Sequence, residues 1–145
     1  MASTNLSILI VEDEFGLAEL LREMLRESGY DVTLAINGRL ALEILAEGNV
    51  DLVLTDMMMP VMDGAELAAA MRNDDRYRAT PMIMMTSLPA GVPHAEGLFD
   101  AVLRKPFTPD LLLKTMARCL AATERTVTGS SPGEKPESDA DAAGQ

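Results

Sequence analysis

Asp56 closes the apolar run Leu52-Val53-Leu54-Thr55 and is followed at once by Met57-Met58-Met59-Pro60-Val61-Met62-Asp63-Gly64. A carboxylate on the end of so hydrophobic a segment has an exposed oxygen on a rigid support, which suits a nucleophile or a metal ligand. Three other apolar runs end in residues of complementary chemistry: Glu12-Asp13-Glu14 after Ile8–Val11, Thr86-Ser87 after Met82–Met85, and Lys105 just beyond Ala101–Leu103. Glu12, Asp13 and Asp56 gathered together repel one another, and a hard divalent cation with oxygen ligands relieves that repulsion. Mg2+ takes one or two carboxylates and leaves room for phosphate oxygens. Lys105 supplies a point charge for a phosphoryl oxygen, and Thr86 a hydroxyl donor for another. The set describes an aspartyl-phosphate chemistry with Asp56 as nucleophile, in which positioning and charge neutralisation do most of the work.

Each residue also has a simpler reading. Asp often ends a strand to begin a turn. Glu12-Asp13-Glu14 reads equally as a solvated turn capping the first helix. Thr86 reads as a strand-end hydroxyl, and Lys105 as a solvated base beside Arg104. The coincidence at four strand ends favours the joint reading.

The elements that must bring these residues together follow from hydrophobic spacing. Ile8–Val11 is a short strand, and Leu17, Leu20, Leu21, Met24 and Leu25 then recur at the spacing of one helical face until Gly29. Tyr30, Val32 and Leu34 alternate with Asp31 and Thr33, as on a half-exposed edge strand. Leu40, Ala41, Ile44 and Leu45 mark a second helix, and an Ala-rich third covers Glu66–Arg72. Thr108 as N-cap, Pro109 in the first turn and Asp110 near the dipole open the last helix, with Leu112, Leu113, Met116 and Leu120 on its apolar face. This β-α repeat predicts a flavodoxin-like, doubly wound, five-stranded parallel sheet of order 2-1-3-4-5 with helices on both faces. In such sheets the ligand site lies beyond the carboxyl ends of the strands. Between the fourth and fifth strands stand Pro89, Gly91 and Pro93, so a helix there starts no earlier than about Pro93 and is short or irregular.

Composition sets the outer bounds. The 145 residues are 48% hydrophobic and 24% charged, with a formal net charge of −11. Such a negative field argues against a nucleic-acid partner and against anionic membrane surfaces. No apolar stretch approaches a membrane span. With Cys119 as the single cysteine no internal disulfide forms, and the first five residues lack the marks of a signal peptide. A cytoplasmic location is expected. Residues 123–145 hold five acids, two bases and Val127 as their one large apolar side chain, so an acidic disordered tail is expected there. A folded domain is expected over 6–122, after a lead-in of residues 1–5.

Over about residues 6–122 the chain resembles the receiver domain of two-component response regulators. The segments that carry the likeness are ILIVEDE (8–14), DLVLTDMMMPVMDG (51–64), PMIMMTS (81–87) and LRKPF (103–107), in the right order and on the right elements. The resemblance implies that Asp56 is the phosphoacceptor. It also implies that Asp13, Asp56 and the backbone carbonyl of Met58 hold Mg2+, with Glu12 acting mainly through a metal-bound water. Thr86 and Lys105 would engage the phosphoryl group, and the Lys105–Pro106 bond would be cis. The implied donor is a phosphohistidine, on a histidine kinase or a histidine phosphotransfer protein, with slow hydrolysis of the acyl phosphate afterwards. No separate enzyme activity is expected, and output passes to a protein target that the sequence does not name, with no further domain after residue 122.

Two positions depart from the family pattern. Val102 stands where an aromatic residue usually reports phosphorylation, and the interval from Thr86 to Lys105 is a few residues short. Signalling is therefore expected to depend on the 87–99 segment. Met58 and Leu88, each two places beyond a site residue, are apolar and cannot orient a water, which predicts a long-lived phosphoryl group. The eleven methionines read mainly as core filler. His94 reads as a solvated loop residue and Cys119 as a reduced packing residue. Two competing functions remain open: a phosphorylation-independent interaction module on the same fold, and an aspartyl-phosphate phosphatase. The second wants an Asp two places after the nucleophile, where Met58 stands.

Overall fold

The computed structural model describes residues 5–88 and 97–129, with side chains up to residue 123. Five parallel strands form one sheet: β1 (Ser7–Val11), β2 (Asp31–Ala35), β3 (Leu52–Asp56), β4 (Met82–Thr86) and β5 (Ala101–Arg104), in the order β2-β1-β3-β4-β5. Between and after them run α1 (Phe15–Glu27), α2 (Gly38–Glu47), α3 (Gly64–Arg72) and α4 (Pro109–Gly129). The predicted order is the observed one. Its cause is visible in the burial of each strand: every residue of β3 and β4 is buried, as inner strands require, whereas Asp31 and Thr33 of β2 face solvent.

Alternation along the strands divides the core into two layers. Ile8, Ile10, Leu52, Leu54, Ile83 and Met85 point to the face covered by Leu21 and Leu25 of α1 and Leu112, Met116 and Cys119 of α4. Leu9, Val11, Val53 and Met82 point to the other, covered by Ala41 and Leu45 of α2 and Leu67, Ala68 and Met71 of α3. Each helix opens on a side chain that satisfies a backbone donor left free by the first turn. Glu14, Asn37, Asp63 and Thr108 accept from the N–H groups of Leu17, Leu40, Glu66 and Leu111 at 2.8, 2.9, 2.8 and 3.1 Å. Asp63 and Glu66 complete a capping box. Gly29, at φ +98°, ends α1 as predicted, in a conformation that side chains with a Cβ rarely adopt.

Two expectations need adjustment, and a third lies largely outside the described residues. Leu20, counted on the apolar face of α1, is largely exposed, because the sheet takes up only Leu21 and Leu25 fully. The last helix runs on to Gly129, so the boundary expected at 122 falls inside it. Adding a residue to an existing helix requires only one more pair of dihedrals, with no new nucleus, so polar composition alone does not stop it. The expected short helix between β4 and β5 falls largely on 89–96, outside the described residues, as does His94. The described stretch of that connection before β5, Gly97–Asp100, is a turn and a bend.

Candidate active site

The carboxyl ends of β1, β3, β4 and β5 converge, and with them the predicted residues. Pairing in register places Val11 beside Thr55, Asp56 beside Met85, and Thr86 beside Arg104. The Lys105 N–H then donates to the Thr86 carbonyl at 2.8 Å, which fixes the lysine one step past the sheet. From there its ammonium Nζ lies 2.8 Å from Asp56 Oδ1 and 3.4 Å from Glu12 Oε1. Glu12 is 3% exposed and Asp56 9%. The ion pairs are therefore held in a setting that screens them little.

Glu12 and Glu14, adjacent acids in sequence, do different things. Glu14 is the N-cap of α1, which is the simpler of the two readings of this tripeptide. Glu12 turns inward, where its Oε2 accepts the Glu14 N–H at 3.1 Å. Asp13 stays exposed at the mouth. Oxygens of Glu12, Asp13 and Asp56 all lie within 4.8 Å of one another. Burial, helped by the Asp56 charge, raises the Glu12 pKa above the ordinary glutamate value. For Lys105, burial acts to lower the pKa, but the hydrogen bond and charge of Asp56, and then Glu12, outweigh it and hold the pKa above the usual lysine value. Three clustered acids against one ammonium leave two negative charges in excess. A hard divalent cation fits that oxygen-only donor set.

Thr86 is buried, and its Oγ1 accepts the Leu88 N–H at 3.0 Å. The hydroxyl is thus at the predicted strand end, engaged with its own loop. The loop after Asp56 is pinned where it meets α3. The Gly64 N–H donates to the Met57 carbonyl at 2.9 Å, and a Cβ on Gly64 would lie 2.5 Å from the Asp56 carbonyl oxygen. Only glycine allows that approach. Met58, whose carbonyl the resemblance implies as a ligand, has an exposed side chain, and Leu88 is also exposed. The Lys105–Pro106 bond is cis.

One feature beside the site escaped the sequence reading. An apolar cavity of about 420 Å³ opens between Leu17, Leu20, Met24, Pro106 and Phe107, with Lys105 and Ser87 at its edge. The only signal for it in the sequence is a surplus: α1 carries more apolar residues than one face of the sheet can bury.

The sheet order, with the acidic cluster and its lysine at the strand ends, defines a receiver fold. The chain belongs to the response regulator receiver domain family, which matches residues 8–117. It is 33% identical over 129 residues to the transcriptional regulatory protein SrrA of Staphylococcus aureus, an alignment that takes in 86% of this chain and 52% of that protein. The chain therefore spans about half the length of the curated relatives it matches. Among solved structures it is similar to the chemotaxis response regulator CheY4 of Vibrio cholerae, with a TM-score of 0.72 and 32% identity over 80% of this chain and 99% of that one. It is also similar to the receiver domain of the sensor histidine kinase PA1611 of Pseudomonas aeruginosa, with a TM-score of 0.75 and 28% identity over 81% and 99% of the two chains. That domain has a magnesium ion coordinated in its active-site cleft. Among the described residues no helix is long and apolar enough to cross a membrane.

Proposed function

We propose that this receiver domain takes a phosphoryl group onto Asp56 from the phosphohistidine of a histidine kinase or a histidine phosphotransfer protein. The observation that carries the reading is the Lys105 ammonium 2.8 Å from Asp56 Oδ1, on a carboxylate whose acidic neighbours are all within 4.8 Å. A carboxylate oxygen of Asp56 attacks phosphorus, the bond from phosphorus to the imidazole nitrogen breaks, and the acyl phosphate forms. Lys105 exchanges a carboxylate partner for a phosphoryl oxygen and so keeps its charge compensated through the transfer. Thr86 lies at the adjoining strand end, where its Oγ1 accepts the Leu88 N–H through a lone pair and keeps its own proton to donate to a second phosphoryl oxygen. Glu12, Asp13, Asp56 and the Met58 carbonyl would hold Mg2+. The ion, when bound, supplies neutralising charge for the phosphoryl oxygens.

On this reading the domain is the acceptor of the reaction and turns over no separate substrate. Its output passes to a protein target through contacts that change with phosphorylation. Incubation with a small-molecule phosphodonor and Mg2+, followed by intact mass, tests the chemistry. A single phosphate adduct is expected, absent in Asp56→Ala; no adduct on the wild type, or an undiminished one on the variant, overturns the reading.

A further inference from the structure

Of the ten methionines among the described residues, Met58 alone is exposed, with 66% of its surface open. Met57, Met71, Met82, Met84, Met85 and Met116 are buried in the core, and the other three are half-buried. The exposed thioether is two residues past Asp56, on a loop whose backbone is held at both ends. The Met57 N–H donates to the Met85 carbonyl at 3.0 Å, and the N–H groups of Gly64 and Gly38 donate to the carbonyls of Met57 and Met62 at 2.9 and 3.0 Å. A chemical change at this side chain therefore alters the rim of the site without unpacking the core. At the buried methionines the same change would disrupt packing.

We propose that Met58 is a reversible oxidation site that sets the lifetime of the phosphoryl group, an inference that rests on the phosphoacceptor reading of Asp56. A peroxide transfers one oxygen to the Met58 sulfur: the peroxide O–O bond breaks, the sulfur is oxidised by two electrons to the sulfoxide, and water leaves. The product carries a strong hydrogen-bond acceptor where the thioether had only a weak one. Hydrolysis of the acyl phosphate needs a water held in line with phosphorus, and the exposed side chains two places beyond Asp56 and Thr86 are Met58 and Leu88, neither able to hold one. A sulfoxide oxygen accepts a hydrogen bond from that water and orients it. The water attacks phosphorus, the bond to the Asp56 oxygen breaks, and the free carboxylate and inorganic phosphate result. Methionine sulfoxide reductase restores the thioether.

The test takes the whole chain, treats it with limiting hydrogen peroxide, and maps sulfoxide by peptide mass spectrometry. The phosphoryl half-life is then measured after loading with a small phosphodonor. Met58 is expected to oxidise first and the half-life to shorten several-fold, with recovery after reductase treatment. Met58→Leu is expected to show no peroxide response, and Met58→Gln to shorten the half-life without peroxide. Preferential oxidation of another methionine, a half-life indifferent to Met58 oxidation, or an equal response in Met58→Leu overturns the inference. Failure of Asp56 to accept phosphate at all would instead overturn the reading beneath it.

Discussion

Lys105 answers two acids at once, and its removal strands both. In Lys105→Met the carboxylates of Glu12 and Asp56 keep their burial and their mutual repulsion but lose the ammonium at 3.4 and 2.8 Å. A loss of about 1–3 kcal/mol, the cost of unpartnered buried polar groups, is expected in urea denaturation without metal. Excess negative charge makes the opposite prediction for a cation. Mg2+ is expected to raise the melting temperature of the wild type by mass action and to do so far less in Asp13→Asn. The sign with pH follows from Glu12, whose folded pKa lies above its ordinary value of 4.5. The folded protein therefore holds that proton more tightly than the unfolded chain, and stability from this group falls as pH rises through the folded value. Mg2+ must displace the same proton, so its affinity, read by titration calorimetry, is expected to weaken on acidification while free glutamate would still be ionised.

Among the elements, the β3–α3 loop shows how a functional surface departs from local preference. Val61 sits at φ +69°, a region that β-branched residues avoid, and its side chain is exposed and repays none of the strain through packing. Met62 beside it is anchored by the bond from Gly38, so the loop is held in this shape from both sides. Asn tolerates the left-handed region, and Val61→Asn is expected to stabilise the domain by about 0.5–1 kcal/mol, seen as a higher urea midpoint. An unchanged or lower midpoint would show that the Val61 side chain contributes something its exposure hides. This strain was not legible in the sequence, because the positive φ at Val61 is imposed by the contacts of the loop and not by its residue type. The cap of the last helix was legible, because Thr108, Pro109 and Asp110 stand together before an apolar-periodic run and form a helix start from local backbone alone.

Across the whole molecule, one arginine ties the end of the sheet opposite the acidic site. Arg72, at the close of α3, donates to the carbonyls of Leu98, Arg78 and Thr80 at 3.0, 2.8 and 2.7 Å and to Asp100 Oδ2 at 3.1 Å. Asp100 Oδ2 also accepts the Met82 N–H at 2.8 Å, so this hub sets where β4 and β5 begin. Arg72→Met keeps the stem and removes the donors. It is expected to cost about 2–3 kcal/mol, with three carbonyls and a carboxylate left to be solvated. Faster hydrogen exchange at residues 98–102 would mark the site of the loss.

Residue order by itself determined the sheet, its order and the identity of Glu12, Asp13, Asp56, Thr86 and Lys105 as strand-end residues. Hydrophobic period and turn punctuation are local properties, and the doubly wound repeat leaves one rim on which such ends can meet. Only the tertiary structure decided that Glu12 turns inward while Glu14 caps a helix, since both are glutamates in one turn and the approach of Lys105 to Glu12 distinguishes them. It also decided that Met58 alone among the described methionines faces solvent, that Leu20 is left beside an open apolar cavity, and that Arg72 holds a loop more than twenty residues away. Each of these depends on which distant segments arrive at the same place, and spacing along one strand or helix carries no record of that.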